Sequence, residues 1–242
     1  MNLTKTSAEL KSSAKAQLLG NYGKMISAFL MMDFGCAFLL YLAGDLLSSP
    51  TLVNQILYYV VELLVYLLLG VFMLGQTKLY MNFITGRPAV LGDLFSGFRS
   101  RSELGIKIML CYIGIILACL IPFFISLAAY AAFMSVYLLP LISLLFIGGS
   151  AAACILLLSF SQCYYIALDF PNYSFKQICA MSRRVMKGQR ARLFYLYISF
   201  VPLMLLSVLS FGLGLLWIYP YMQCTLTHFY FDLMDYHTRQ YA

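Results

Sequence analysis

Six long apolar runs dominate this chain and restrict its possible folds more than any other feature. Each run holds about 20 mostly apolar residues or more, the length that an α-helix needs to cross a bilayer. The apolar residues follow one another without strict alternation, which excludes a membrane-spanning β-barrel. We therefore predict an all-α, polytopic membrane protein with six transmembrane helices. The predicted helices cover residues 25–47, 53–78, 104–135, 141–168, 191–210 and 213–232.

The composition supports the same class. Hydrophobic residues make up 62% of the chain and charged residues only 10%, whereas soluble domains contain about 25% charged residues and roughly 45–50% apolar ones. A soluble fold could not bury that much apolar surface. We predict one transmembrane domain over residues 25–242, preceded by a juxtamembrane segment over residues 1–24.

The basic residues are confined to alternate connections between the apolar runs. All 16 Lys and Arg residues lie within 5–24, 78–107 and 176–192 or at Arg239, and the other connections carry none. Because positively charged loops stay on the cytoplasmic side, both termini and the two long loops are predicted to be cytoplasmic. The expected location is the cell (cytoplasmic) membrane, as a multi-pass protein.

The segment at 174–188 is predicted to form an amphipathic surface helix at the cytoplasmic side. Ser174 and Gln177 have the spacing of a capping box, and apolar residues recur after them at helical intervals. The basic residues are expected to bind anionic inner-leaflet lipids, although they could instead serve orientation alone. They are Lys176, Arg183, Arg184, Lys187, Arg190 and Arg192.

The N-terminal segment contains a weaker amphipathic pattern. Leucine and alanine residues alternate there with lysines and serines. Two interpretations remain open, a basic helix on the membrane surface and a solvated tail.

Glu62 is the most informative single residue, because it falls near the middle of the second predicted helix. Ionisable residues at bilayer depth are costly and commonly belong to ion, proton or substrate paths. Tyr58 and Tyr66 lie one helical turn away on either side. The structural alternative is a neutral carboxyl group that is hydrogen-bonded to these tyrosines or to Gln223.

Two further ionisable residues, Asp33 and His228, are predicted to lie in the inner third of the membrane. They could form an ion pair or part of a proton relay. The alternative is that each is a structural residue with a polar partner of its own.

Close helix packing is predicted for the start of the fourth helix. Residues 148–153 read Gly-Gly-Ser-Ala-Ala-Ala, and such small residues let membrane helices approach closely. Pro122, in the third helix, is expected to be accommodated without ending that helix.

Signatures of catalysis, metal binding and nucleic-acid binding are missing from the sequence. The seven cysteines are scattered without paired spacing, and only two histidines occur. We expect no enzymatic activity, no cofactor, no metal site and no nucleic-acid partner.

The last quarter of the chain contains a set of specific motifs. They are Asp169-x-Pro171, Ser182-Arg183-x-x-Met186-Lys187-Gly188, Leu193-Phe194-x-Leu196-x-x-Ser199-Phe200, Gly212-x-Gly214-x-Leu216-Trp217-x-x-Pro220-Tyr221 and Thr225-x-x-x-Phe229-Tyr230. With them the chain resembles a bacterial integral-membrane family, common in Gram-positive organisms and numbered 975 among the domains of unknown function. The resemblance implies six membrane helices and no assigned activity. Val201-Pro202 departs from the Gly-Trp pair that is usual in the family, and the fourth helix lacks the usual Pro-Gly.

Two functions of different kinds follow from these observations. We favour a non-enzymatic membrane protein that associates with anionic lipids, with a membrane-protein partner or with a second copy of itself. The alternative is a transporter or exporter component that uses Glu62 as a proton, cation or substrate site. A cavity lined by Glu62 and Tyr66 would favour transport.

Overall fold

The computed structural model describes residues 4–49, 51–134 and 137–241, and the regular elements in these ranges are all helical. A 3-10 turn (Leu91–Phe95) and a short helix (Ser96–Ser100) together form what we call the 91–100 segment. The longer helices are α1 (Ser7–Leu18), α2 (Tyr22–Leu46), α3 (Leu52–Ile84), α4 (Ser102–Phe133), α5 (Leu138–Asp169), α6 (Phe175–Val185), α7 (Arg190–Leu209) and α8 (Leu215–Tyr241).

Five helices, namely α2, α3, α4, α5 and α7, are long and apolar enough to cross a membrane. The predicted all-α class is therefore confirmed, and the five candidate spans fit a multi-pass membrane protein. Helix α8 has 27 residues but does not belong to these five, because polar residues such as Gln223, His228 and Asp232 interrupt its apolar sequence. The sixth predicted span stays a prediction.

The long helices form successive hairpins, each preceded by a short helical element. Helices α2 and α3 pack as one pair, α4 and α5 as a second, and α7 and α8 contact each other as a third. Helix α1, the 91–100 segment and α6 precede these pairs in turn. Helices α1 and α6 both pack on the second half of α8, at one end of the bundle that we call the basic end.

The central part of helix α8 lies in the interior of the protein. The helix contacts α1, α2, α3, α6 and α7, and Thr225, Thr227 and Tyr230 are fully buried. The two threonine hydroxyls donate to backbone carbonyls one turn earlier, at 2.7 and 2.9 Å. A helix that is enclosed by protein can keep polar residues that would be costly against lipid, which explains its composition.

The N-terminal residues fold into helix α1. Thr6 and Glu9 form a capping box, in which the hydrogen bond from the Thr6 backbone N–H lowers the pKa of the Glu9 carboxyl group. Leu10, Ala14 and Leu18 are fully buried, and α1 packs mainly on α8. The interpretation of residues 7–18 as a solvated tail is therefore wrong, and the apolar face of α1 contacts protein rather than lipid.

Three predicted helices contain an irregularity. Helix α2 includes a π-helical turn at Leu30–Phe34. Helix α5 is interrupted between Phe160 and Cys163, and α7 between Ile198 and Val201. The second break follows from Pro202, which has no N–H to donate to the carbonyl four residues earlier.

Side chains from neighbouring elements donate hydrogen bonds to the backbone carbonyls near the last two of these irregularities. Tyr112 donates to the carbonyl of Phe160 at 2.8 Å. The Lys11 ammonium donates to the carbonyl of Ser199 at 2.7 Å, and burial lowers the pKa of this ammonium group. Such partners are required because unpaired backbone groups are costly away from water. Pro122 lies inside α4 without ending it, as predicted.

Glycines fix the distance between several elements. A Cβ atom added at Gly75 would lie 1.9 Å from the carbonyl oxygen of Leu94, and one at Gly97 would lie 2.4 Å from that of Val71. The 91–100 segment therefore docks directly on the backbone of α3. The predicted small-residue contact exists at Gly149, where an added Cβ would lie 2.6 Å from the carbonyl oxygen of Cys119.

Candidate functional site

A cavity of about 620 Å³ lies between α3, α4, α5, α7 and α8. Its volume is typical of small-molecule sites, which measure about 300–1,000 Å³. The break in α5 contributes Ser161 and Gln162 to the wall. Irregular backbone at membrane depth is tolerated where it lines a cavity or is enclosed by protein. The break in α5 therefore forms part of the cavity wall.

The lining of the cavity is polar in part but carries no charge. Apolar side chains form most of the wall, and no Asp, Glu, Lys, Arg or His belongs to the described lining. The polar lining residues are Gln76, Thr77, Tyr112, Ser150, Ser161, Gln162, Tyr164, Tyr165, Tyr197 and Gln223.

Two glutamines of this wall have unsatisfied hydrogen-bonding atoms. Gln76 is 2% exposed and accepts from the Tyr219 hydroxyl at 3.3 Å through Oε1, while its Nε2 has no partner among the described residues. Gln162 is 3% exposed and donates from Nε2 to Ser161 at 2.8 Å, while its Oε1 has no partner in the same part of the chain. The Tyr164 hydroxyl, also in this wall, has no partner among the described residues either. The wall therefore offers a spare amide donor, a spare amide acceptor and a hydroxyl group that can act as either.

One side of the cavity is exposed on the outer surface of the bundle. Ile116 on α4, Cys154 on α5 and both Phe194 and Tyr197 on α7 line the cavity and are exposed themselves. These residues come from helices that are apolar enough to face lipid. The cavity therefore opens sideways, between the α4–α5 pair and α7.

Glu62 lies outside this cavity. Its side chain is half-buried, and it makes no hydrogen bond or ion pair with the described residues. Tyr58 is half-buried and Tyr66 is exposed. The proposed hydrogen bonds from the Glu62 carboxyl group to these tyrosines or to Gln223 are not formed, whereas Gln223 does line the cavity.

Asp33 and His228 are not paired with each other. The His228 Nε2 atom is 2.8 Å from the side-chain oxygen of Gln17 on α1. Asp33 lies in the π-helical turn, and its Oδ2 is buried without a partner among the described residues. The ion-pair interpretation is therefore wrong, and His228 has a structural partner.

The basic end contains a buried ion pair between α7 and α8. The Arg192 guanidinium contacts the Asp232 carboxylate, with side-chain exposures of 17% and 7%. Arg192 also donates to the backbone oxygen of Lys5 at 2.5 Å, and the Lys5 N–H donates to Asp232 at 3.2 Å. Arg192 is thus engaged within the protein, and we leave it out of the proposed lipid-binding surface.

The other predicted headgroup residues fall into two groups. Lys176, Arg183, Arg184 and Lys187 are exposed, and none of them forms an ion pair with the described residues. Arg190 is half-buried. The opposite face of α6 carries Ile178, Ser182 and Val185 into the core. Helix α6 therefore uses its apolar face for packing on the bundle. The four exposed cations, three on α6 and Lys187 in the turn after it, are what we call the basic quartet.

The sequence did not single out the cavity residues Gln76 and Gln162. Each is one amide side chain near the end of an apolar run, at 53–78 and 141–168, and such residues commonly lie at the membrane boundary. The only local signal was their polarity within otherwise apolar surroundings. Their convergence depends on how α3 and α5 pack and on the break after Phe160.

Comparisons with known proteins agree with the motifs in the last quarter of the chain. No curated protein and no solved structure matches the chain. The model of one protein family, described as "Protein of unknown function (DUF975)", matches residues 1–236. Since this match covers nearly all of the 242 residues, the chain belongs to the DUF975 family.

Proposed function

We propose that this protein is a non-enzymatic, multi-pass protein of the cell membrane that associates with anionic lipids through its basic quartet. The observation that carries the proposal is the exposure of Lys176, Arg183 and Arg184 on a helix whose apolar face is already buried, and of Lys187 in the turn that follows this helix. None of these cations forms an ion pair with a carboxylate of the described residues, so they can bind phosphate-bearing headgroups. Arg183 would do so from its place over the Phe160 ring, 5.9 Å from the ring centroid.

The proposal includes six membrane crossings with both termini in the cytoplasm. Contacts between the two ends of the chain support an even number of crossings, because α1 precedes the first span and yet pairs with α8 from its midpoint to Asp232. Gln17 contacts His228 and Lys5 contacts Asp232. The charge asymmetry of the loops supports the cytoplasmic assignment.

Transport through Glu62 is the alternative, and the geometry gives it less support. Glu62 does not line the cavity, and Asp33 and His228 do not pair. A proton or substrate path that passes through these three residues would need them to converge.

The test is native mass spectrometry of the protein released from membranes in mild detergent. The lipids retained by the natural protein are compared with those retained by a variant whose basic quartet is changed to glutamine. Each basic residue contributes about 1 kcal/mol near an anionic surface, so we expect retention of phosphatidylglycerol to fall by roughly 100-fold or more at low salt, with phosphatidylcholine unaffected.

The matched control neutralises four other exposed cations, Lys15, Lys24, Arg87 and Arg99, in the same way. Equal loss in both variants would indicate general electrostatic attraction and would contradict a site on α6. If the natural protein retains another protein or a second copy of itself, and retains no lipid, the result would favour association with a protein partner instead.

A further inference from the structure

We propose that the cavity beside the α5 break binds an uncharged lipid that carries a hydroxyl group. This site is separate from the basic quartet, and the ligand differs in charge from the anionic lipids proposed above. Four observations support it, namely the volume, the spare hydrogen-bonding atoms, the uncharged lining and the sideways opening.

The spare donor and acceptor in the wall favour a hydroxyl group. A buried polar atom without a partner costs about 1–3 kcal/mol, and both Gln76 and Gln162 contain one. Both residues line the cavity, and the terminal amide torsion of glutamine is soft. A hydroxyl group matches both atoms chemically, because it can accept from the Gln76 Nε2 and donate to the Gln162 Oε1.

The uncharged lining excludes an ionic ligand. Burying a charge is costly unless an opposite charge or several hydrogen bonds compensate it, and the described wall of the cavity has no ionisable acid or base of the Asp, Glu, Lys, Arg or His type. A phosphate-bearing headgroup would therefore bind poorly here. The ligand is expected to be neutral.

The opening determines the route by which the ligand arrives. Its rim consists of Ile116, Cys154, Phe194 and Tyr197, which lie on lipid-facing helices. A molecule dissolved in the bilayer can enter directly between α5 and α7, with its apolar chain left along the rim. This geometry selects an amphipathic lipid over a water-soluble metabolite.

The test measures binding of 1,2-dioctanoylglycerol to the purified full-length protein by native mass spectrometry. The matched ligand is its 3-acetyl ester, which lacks the hydroxyl hydrogen. We expect the alcohol to bind at least about tenfold more tightly, since the ester leaves the Gln162 acceptor unpaired. Dioctanoyl phosphatidylglycerol is expected not to compete.

Two variants locate the site. Ala153, which lines the cavity, is changed to phenylalanine so that the new ring fills the space, and Gln162→Met removes the spare acceptor. We expect Ala153→Phe to abolish binding and Gln162→Met to weaken binding of the alcohol about tenfold. The controls are Ala152→Phe on α5 and Gln55→Met on α3, two exposed positions outside the lining of the cavity.

Three results would overturn the proposal: no binding to the natural protein, equal binding of alcohol and ester, or unchanged binding to the Ala153→Phe protein. Thermal unfolding of each variant checks its folding, and Ala153→Phe tests the site even where Gln162→Met is unstable. A protein without the basic quartet is expected to bind dioctanoylglycerol normally, which separates this site from the one on α6.

Discussion

At the scale of single residues, two acidic groups on α8 show how burial decides what an ion pair contributes. Asp232 and its partner Arg192 are 7% and 17% exposed, whereas Asp235 and its partner Arg239 are 55% and 62% exposed. Exposed ion pairs are screened by water and contribute little to the stability of the folded protein. Removing one member of a buried pair leaves the other charge without compensation.

We therefore expect Asp232→Asn to destabilise the protein by about 3–5 kcal/mol. Asp235→Asn, three residues later on the same helix, is the matched control and is expected to cost about 0.5 kcal/mol or less. Thermal or detergent-induced unfolding of the purified proteins measures both. Similar losses in the two variants would mean that the Arg192 pair is not energetically distinct.

The sequence alone could not distinguish the buried cation from its exposed neighbours. Arg192 and Lys187 both lie in the same basic segment, and local spacing does not indicate which of them has an acidic partner. The partner of Arg192 is 40 residues away. The same limit applies to Gln76 and Gln162, whose roles depend on contacts between distant helices.

At the scale of elements, contacts at glycines set how closely the 91–100 segment approaches α3. The contact at Gly75 is with backbone, which cannot move aside as a flexible side chain can. By contrast, Gly148 on α5 has open space around its Cβ position. Position in the fold, rather than residue type, decides whether a larger side chain is tolerated.

Gly75→Ala is accordingly expected to destabilise the protein by at least about 1–3 kcal/mol, the usual cost of overpacking. Gly148→Ala is expected to be neutral or slightly stabilising, because alanine favours the helix. Thermal unfolding measures the difference. A Gly75→Ala protein as stable as the Gly148→Ala protein would show that the segment does not dock at this distance.

The extents of the helices could be predicted from the sequence, but their interruptions could not all be. The length of the third apolar run predicts a helix at 104–135, and the helix in the structure is Ser102–Phe133. The break before Val201 has a visible cause in Pro202. The break after Phe160 and the π-helical turn have no proline beside them, and the Phe160 carbonyl takes its partner, Tyr112, from another helix.

At the scale of the whole molecule, the proposal of six crossings depends on the contacts between the two ends of the chain. Five strongly apolar helices alone would leave the termini on opposite sides of the membrane. The contacts between α1 and α8 hold the terminal segments together. Hydropathy underestimates α8 because most of its central residues face protein.

We expect cysteines introduced at Lys15 and Arg239 in a cysteine-free protein to be protected from an impermeant thiol reagent in intact cells. Both should react after permeabilisation, whereas a cysteine at Ser48, in the turn between α2 and α3, should react without it. Labelling of the Arg239 position alone in intact cells would support five crossings.

The pairing of α1 with α8 also sets an order of events during synthesis. Lys5 and Asp232 are 227 residues apart, so at about 5–20 residues per second roughly 10–45 s separate their production on the ribosome. Throughout that interval Leu10, Ala14 and Leu18 have no α8 to cover them. The first helix to be made is among the last to be completed, and a chain that is cut short before α8 is left with an apolar N-terminal surface that quality-control proteases and chaperones can recognise.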